Sequence, residues 1–427
     1  MRSIQRGATS TRVLPTFVVL GLVGLAGCGA ASQAEVVESD RARHTIAVEQ
    51  ASAVPDVVRA TDRLGMDLLA LTPAENNAVT SPASAVVALA MLGEGARGVT
   101  AAELDALLGA SGPECTDAVN ALTGELASLD GDPAVVQEDE LPETPLVHVA
   151  NNVVVDDDAE ILAEYLDTLA VGYGASVQST DLGGPDGKAV LDTWVDEHTG
   201  GLIEKSAIVP TPDTRLVLQN AVLLAARWGA PFEVADTRPR PFDVAGESVE
   251  VDTMAVTEPL GYAEVDGWQA VRLPYTGGEL HTDVILPPQG SSPADLDTDL
   301  LGRIQVGLAE VGPRPVELHL PKVDLETKAD LLTLLEERTP SLVAEADLSG
   351  MSPSGLFVSQ AAQQAILTVD EEGTVAAAVT EIAGDESAVQ PPDDLVQMHV
   401  DRPFVIRIAH TPTDWSLFLA RIADPRG

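Results

Sequence analysis

The chain has 427 residues, 45% of them apolar, enough to bury one large core or two ordinary ones and too many for a disordered tail. Against 24 Lys and Arg stand 67 Asp and Glu, a formal net charge of −43, and only 3% of residues are aromatic. A surface this acidic repels phosphate backbones and offers few stacking platforms, which excludes nucleic-acid binding. Only four of the cations are Lys, a balance that fits either a salty medium outside the cell or a biased genome composition.

At the start of the chain, Arg2, Arg6 and Arg12 precede a short apolar run over residues 17–26. A basic head followed by such a run is an export signal, too short to span a bilayer comfortably. The run ends in Leu25-Ala26-Gly27-Cys28, which resembles the bacterial lipoprotein cleavage box. Cys28 is then the lipidated first residue of the mature protein, tied to a membrane through its lipid. Removing residues 1–27 takes away three arginines and no acids, so the mature charge is −46 rather than −43. No later segment approaches about 18 uninterrupted apolar residues. The protein is therefore expected to be exported, as a cell-surface lipoprotein or an extracellular one. Residues 28–50, rich in Ala, Glu and Ser, read as a flexible tether.

From residue 51 to the end no linker divides the chain. Apolar residues at three- and four-residue spacing predict helices over 54–71, 83–92 and 101–108, the last with a capping box from Thr100 and Glu103. Gly112-Pro113-Glu114-Cys115 then reads as a loop carrying a passive surface thiol. With Cys28 lipidated, Cys115 has no disulfide partner. Short apolar or alternating pieces at 147–155, 215–224, 270–273, 283–286, 316–320, 404–409 and 416–422 predict strands, several bounded by Pro or Gly. Helices first and strands afterwards indicate an α+β fold.

Catalytic signatures are missing. The seven histidines, His44, His148, His198, His281, His319, His399 and His410, lack the i, i+4 partner of a zinc helix. There is no G-x-S-x-G elbow or P-loop, and the G-x-G-x-x-G at Gly93-Glu94-Gly95-Ala96-Arg97-Gly98 follows a predicted helix rather than a strand, so it does not read as a phosphate loop. The pairs Glu371-Glu372 and Asp393-Asp394 are expected by chance in so acidic a chain. No enzyme, metal site or cofactor is expected.

The informative segment starts at a strand-like stretch, 365–369, which runs into two acids and Gly373. Small and β-branched residues follow, with no Pro until Pro391-Pro392. At period two, one face holds Thr374, Ala376, Ala378, Thr380, Ile382 and Gly384, all uncharged. An exposed connection thus carries the pattern of a strand able to slide one small-residue face into a tight interior. A plain flexible loop of small residues fits the same stretch.

Glu371-Glu372-Gly373-Thr374-Val375-Ala376-Ala377-Ala378-Val379-Thr380 is similar to the reactive-loop hinge of the serpin family, Glu-x-Gly-Thr-x-Ala-Ala-Ala-x-Thr. Other blocks follow in family order: Ser81-Pro82-x-Ser84, Trp194-Val195 with Thr199, Asn220-Ala221 with Trp228, Leu273-Pro274-Tyr275, Leu320-Pro321-Lys322 and Arg402-Pro403-Phe404. The resemblance spans nearly all of residues 55–425. It implies an α+β fold of three β-sheets, about nine helices and an exposed reactive-centre loop, here about residues 373–392, on one domain of residues 51–427.

That resemblance implies a monomeric suicide-substrate inhibitor whose partner is a serine protease. The protease cleaves the loop, and the freed segment inserts as a new strand before deacylation. Carrying the family's spacing over from Gly373 places the cut after Ser387. Aligning on Pro391-Pro392 places it after Ala388. We take Ser387-Ala388 as the bond, with Ala388-Val389 and Glu386-Ser387 as alternatives. A small residue in the primary pocket suits elastase- or subtilisin-like proteases and not trypsin-like ones, which need Arg or Lys. The family's central "shutter" maps to Ser81, Ser84 and Asn220, with Gln363 where a His is common. Trp228 maps to the region beside the hinge. A non-inhibitory carrier or chaperone is the competing reading.

Overall fold

A computed structural model describes residues 34–138, 140–374 and 394–426. After a short strand, β1 (Glu35–Val37), come α1 (Val54–Ala70), β2 (Ala78–Thr80), α2 (Pro82–Gly95), α3 (Gly98–Leu108) and α4 (Gly112–Glu125). Then follow β3 (Leu146–Asp156), α5 (Ala163–Thr168), β4 (Val177–Thr180), α6 (Gly187–His198) and β5 (Leu216–Arg227). The antiparallel run β6 (Arg238–Val244), β7 (Glu247–Val265), β8 (Trp268–Pro274) and β9 (Leu280–Leu286) precedes α7 (Thr298–Glu310). Next are β10 (Arg314–Pro321), β11 (Val323–Asp330), α8 (Leu331–Arg338) and α9 (Pro340–Ala344). The last elements are β12 (Gln360–Val369), β13 (Gly373–Thr374), β14 (Val396–His399), β15 (Phe404–His410) and β16 (Trp415–Ile422). The described residues thus hold nine α-helices, and every predicted helix and strand has its counterpart.

The central sheet has the order β1-β4-β3-β5-β13-β12-β11. The other strands form a continuous path, β14-β10-β7-β8-β9-β15-β16-β2, with β6 on β7. The sequence resemblance implied three sheets; here the second and third are joined because β7 runs for 19 residues. Its residues 253–260 pair with β10 and 261–265 with β8. Helix α2 packs against β3, β5 and β16, linking the two layers. Its residues 82–92 are all buried, as expected of a helix apolar on every side.

Three sequence expectations change. Cys115 is no loop thiol: it is buried in α4, and burial foremost pushes its pKa up to about 12, leaving it inert. Gly112-Pro113 starts that helix, since Pro fits the first turn where its missing N–H costs nothing. Thr100 and Glu103 do not cap α3, whose N-cap is Arg97; both bond to Ser341 in the first turn of α9 instead. The described part of the expected tether, residues 34–50, lies docked. β1 pairs with β4, Arg43 reaches Thr123 Oγ1 at 2.6 Å, and Asn120 bridges the backbone of His44 and Ile46.

Candidate functional site

The hinge enters the central sheet from one end, where β5 and β12 diverge. Gly373 and Thr374 lie between them, antiparallel to both, with Thr374 opposite Ala226 and Val369. A Cβ on Gly373 would run into the carbonyl oxygen of Ala226, so only glycine brings the backbone this close. Thr374 is 1% exposed, and its hydroxyl bonds to that of Tyr275. Tyr275 in turn accepts from Thr282 Oγ1 at 2.7 Å and stacks on Trp228, ring centroids 4.6 Å apart.

The turn before the hinge is pinned from several sides. Asp370 accepts from the N–H groups of Glu372 and Gly373 at 3.0 and 3.1 Å. Trp228 donates through Nε1 to Asp370 O and through its backbone N to Glu372 O, both at 2.9 Å. Glu371 accepts from Lys322 Nζ and from Thr237 Oγ1, both at 2.7 Å. Burial pushes the Glu371 carboxyl up, but these two donors outweigh it and hold it below the usual carboxylate range. Asp370, by contrast, is raised by burial.

Farther along, β5 and β12 meet directly. Residues 360–364 pair in parallel with 217–221, and this register sets Gln363 opposite Asn220. Gln363 is buried under α2. Its Oε1 accepts from Thr80 Oγ1 at 2.6 Å and Ser81 N at 2.8 Å, while its Nε2 donates to Ser81 O at 2.8 Å. An amide serves here because it donates and accepts at once, without titrating. Asn220 Nδ2 donates to Asn151 Oδ1 at 2.6 Å, and Ser84 Oγ donates to the same oxygen at 3.4 Å. Asn220 Oδ1 is buried with no hydrogen-bond partner. Between this closed half and the hinge, residues 222–225 and 365–368 lack a ladder partner across the seam among the described residues.

The structure therefore gathers Glu371, Gly373, Thr374 and Trp228 at one end of the seam, and Ser81, Ser84, Asn220 and Gln363 at its middle. Ala376, Ala378, Thr380, Ser387, Ala388 and Cys28 lie outside the described residues. Sequence reasoning passed over the roles of Asp370, Thr237, Thr80 and Asn151, each of which acts through a partner remote in sequence or through the backbone.

A model of the serpin (serine protease inhibitor) family matches residues 59–425. Iripin-2 of the tick Ixodes ricinus is 33% identical over 379 residues, covering 86% of this chain and 93% of its own length. The leukocyte elastase inhibitor of Bos taurus is 30% identical, covering 86% of this chain and 98% of its own length. Among solved structures, the native state of the thermophilic serpin tengpin superposes with a TM-score of 0.74 at 23% identity, covering 92% of this chain and all of that one. Thyroxine-binding globulin in complex with thyroxine superposes at 0.70 and 24% identity, covering 88% of this chain and 99% of that one. With the family model, these relatives and a hinge seated between two strands of the central sheet, this chain belongs to the serpin family.

Proposed function

We propose that this serpin is inhibitory, a suicide-substrate trap for extracellular elastase- or subtilisin-like serine proteases. The protease serine Oγ attacks the carbonyl carbon of Ser387 and the bond to Ala388 breaks. The Ala388 amine leaves with a proton, and Ser387 remains as an ester on the enzyme. The freed segment then continues β13 down the seam. Dragging the protease after it disturbs an active site that tolerates misplacement of only about 1 Å.

One observation carries this reading: Thr374 already occupies the sheet in a register that can be extended. Opposite Thr374 stand Ala226 and Val369, so each further step of two brings Ala376 to Leu224 and Leu367, Ala378 to Val222 and Ala365, and Thr380 to Asn220 and Gln363. The currently paired strands keep the same offset, Gln363 to Asn220, so insertion needs separation of the strands without slippage. The inward residues of the loop are small or hydroxylic, and Thr380 arrives where Asn220 Oδ1 lacks a donor. A buried acceptor left unpaired costs about 1–3 kcal/mol, so its satisfaction favours the inserted state.

Anchoring through a lipid on Cys28 and action as a monomer complete the proposal. No helix among the described residues is long and apolar enough to cross a membrane. The mature chain carrying Cys28→Ser, incubated with elastase, subtilisin and trypsin, tests the inhibitory reading. The expected result is a detergent-stable complex with the first two and a released fragment beginning at Ala388. A fragment starting before Glu386 or after Gln390 refutes the bond assignment. Cleavage without a complex by every protease favours the carrier reading.

A further inference from the structure

Strand β14 is the first described element after the loop, a four-residue strand at the edge of the second sheet. It pairs in parallel with β10, and the register places His399 directly opposite His319. The two imidazoles stack with centroids 4.1 Å apart and planes 7° from parallel. Glu317, two residues before His319, shares their face. Its Oε1 lies 3.3 Å from His319 Nε2 and 3.8 Å from His399 Nε2. Its other oxygen accepts from Gln397 Nε2 at 2.8 Å, which fixes the carboxylate with Oε1 turned to the imidazoles.

We propose that Glu317, His319 and His399 form a zinc(II) site that clips β14 to β10. One ligand atom from each residue lies within 4.8 Å of the other two. Ligands of one tetrahedral zinc at about 2.0–2.1 Å from the metal stand about 3.4 Å from each other, so the atoms are near enough, and the half-exposed His399 ring must tilt out of its stack on His319 for both imidazoles to converge on the ion. Two imidazoles with one carboxylate match zinc, whereas calcium and magnesium require an oxygen shell. Three protein ligands leave a fourth position for water. The His399 side chain is 46% exposed, giving the ion a route from solvent, while that of His319 is only 12% exposed and held by its strand. The positive charges of Arg238 and Arg240 act on this site from β6, on the far side of β7, and weaken cation binding. Because Glu317 and His319 sit on β10 and His399 on β14, a bound ion adds a metal cross-link to the Gln397–Glu317 hydrogen bond that already joins the two strands.

Calorimetric titration of the mature chain with zinc chloride, in excess calcium to occupy the acidic surface, tests the site without any protease. One saturable zinc site is expected, weakened at least tenfold in His399→Ala and in His319→Ala, and tightened in Arg240→Gln. Zinc should also slow amide exchange at Val396, Gln397 and Met398 in the wild type but not in His399→Ala. His399→Gln, which keeps a polar side chain at this exposed position, should behave as His399→Ala does. Zinc binding unchanged in the His399 variants, no saturable site, or exchange in β14 indifferent to zinc would each overturn the proposal.

Discussion

Along the seam between β5 and β12, residues 360–364 are zipped to 217–221 and backed by buried amides, whereas residues 365–368 and 222–225 have no ladder partner across the seam among the described residues, and Gly373 and Thr374 sit at its mouth. In the closed half, Gln363 alone makes three hydrogen bonds to Thr80 and Ser81. In the open half, the inward residues Val222, Leu224, Ala365 and Leu367 are apolar and buried. Entry of small side chains there breaks no polar contact, while further progress must break the ladder beside Gln363 and Asn220. Under the proposed mechanism the open half would receive the new strand, and the closed half would set the barrier to its further entry.

The contrast breaks most severely if the closed half loses its amide. Gln363→Leu removes three hydrogen bonds and strands the buried Ser81 N–H and Thr80 hydroxyl, a cost of about 3 kcal/mol or more. Urea unfolding should show a matching fall in midpoint, with inhibitory capacity lost on warming before any protease is added. A midpoint unchanged within about 0.5 kcal/mol would show that the barrier lies elsewhere.

A smaller effect comes from loosening the turn that seats the hinge. Lys322→Ala leaves the buried Glu371 carboxylate with Thr237 alone among its side-chain donors, costing about 1–2 kcal/mol. In the wild type this carboxyl is held below its ordinary range, so its contribution is complete above about pH 4.3 and is lost as pH falls through the lowered folded value. In Lys322→Ala the folded value rises towards the unfolded one, so the contribution should be smaller and its loss complete at a higher pH. Limited proteolysis at residues 370–374 as a function of pH measures it, and identical profiles for both proteins would contradict the anchoring role.

Smallest is a titration remote from the seam. Burial foremost holds His198 and His410 at about 4, against about 6.5 in the unfolded chain. Between those values the unfolded state binds more protons, so stability should decline as pH drops from about 6.5 towards 4. His198→Gln should flatten part of that slope in thermal melts, and an unaltered slope would remove His198 from the account.

Much of the seam was legible because its message is local. The alternation of small residues after Gly373 and the strand preceding it follow from period two alone, and α1, α2, β5 and β12 declare themselves by spacing and apolar runs. What escaped depends on partners distant in the chain. Asn151 matters only because β3 sets it against Asn220, and Thr100 turned from its helix to Ser341 because α9 packs there. β7 is not among the predicted strands; its 19 residues include Pro259 and Gly261, which are tolerated within the pairing to β10 and β8. Residues 34–50 have a tether's composition, yet backbone groups that composition does not register dock them onto Asn120. His319 and His399 show no metal spacing along the chain because a parallel ladder, not a helix, brings them together.

Ala378 offers the most direct test of strand insertion. Thr374 is less suitable, since it is already buried in the uncleaved protein and a charge there would disturb the seat itself. In the proposed mechanism the extended register would carry Ala378 between Val222 and Ala365 after cleavage, where an arginine would be buried without a partner at a cost of several kcal/mol. Insertion competes with deacylation, and about 1.4 kcal/mol on its barrier shifts the partition tenfold. The measurement is the stoichiometry of inhibition of Ala378→Arg beside wild type, with the same elastase- or subtilisin-like protease. The account predicts near one-to-one trapping by wild type, and at least ten Ala378→Arg molecules cut for each protease trapped, with the cleavage site unchanged. One-to-one trapping by Ala378→Arg would contradict it.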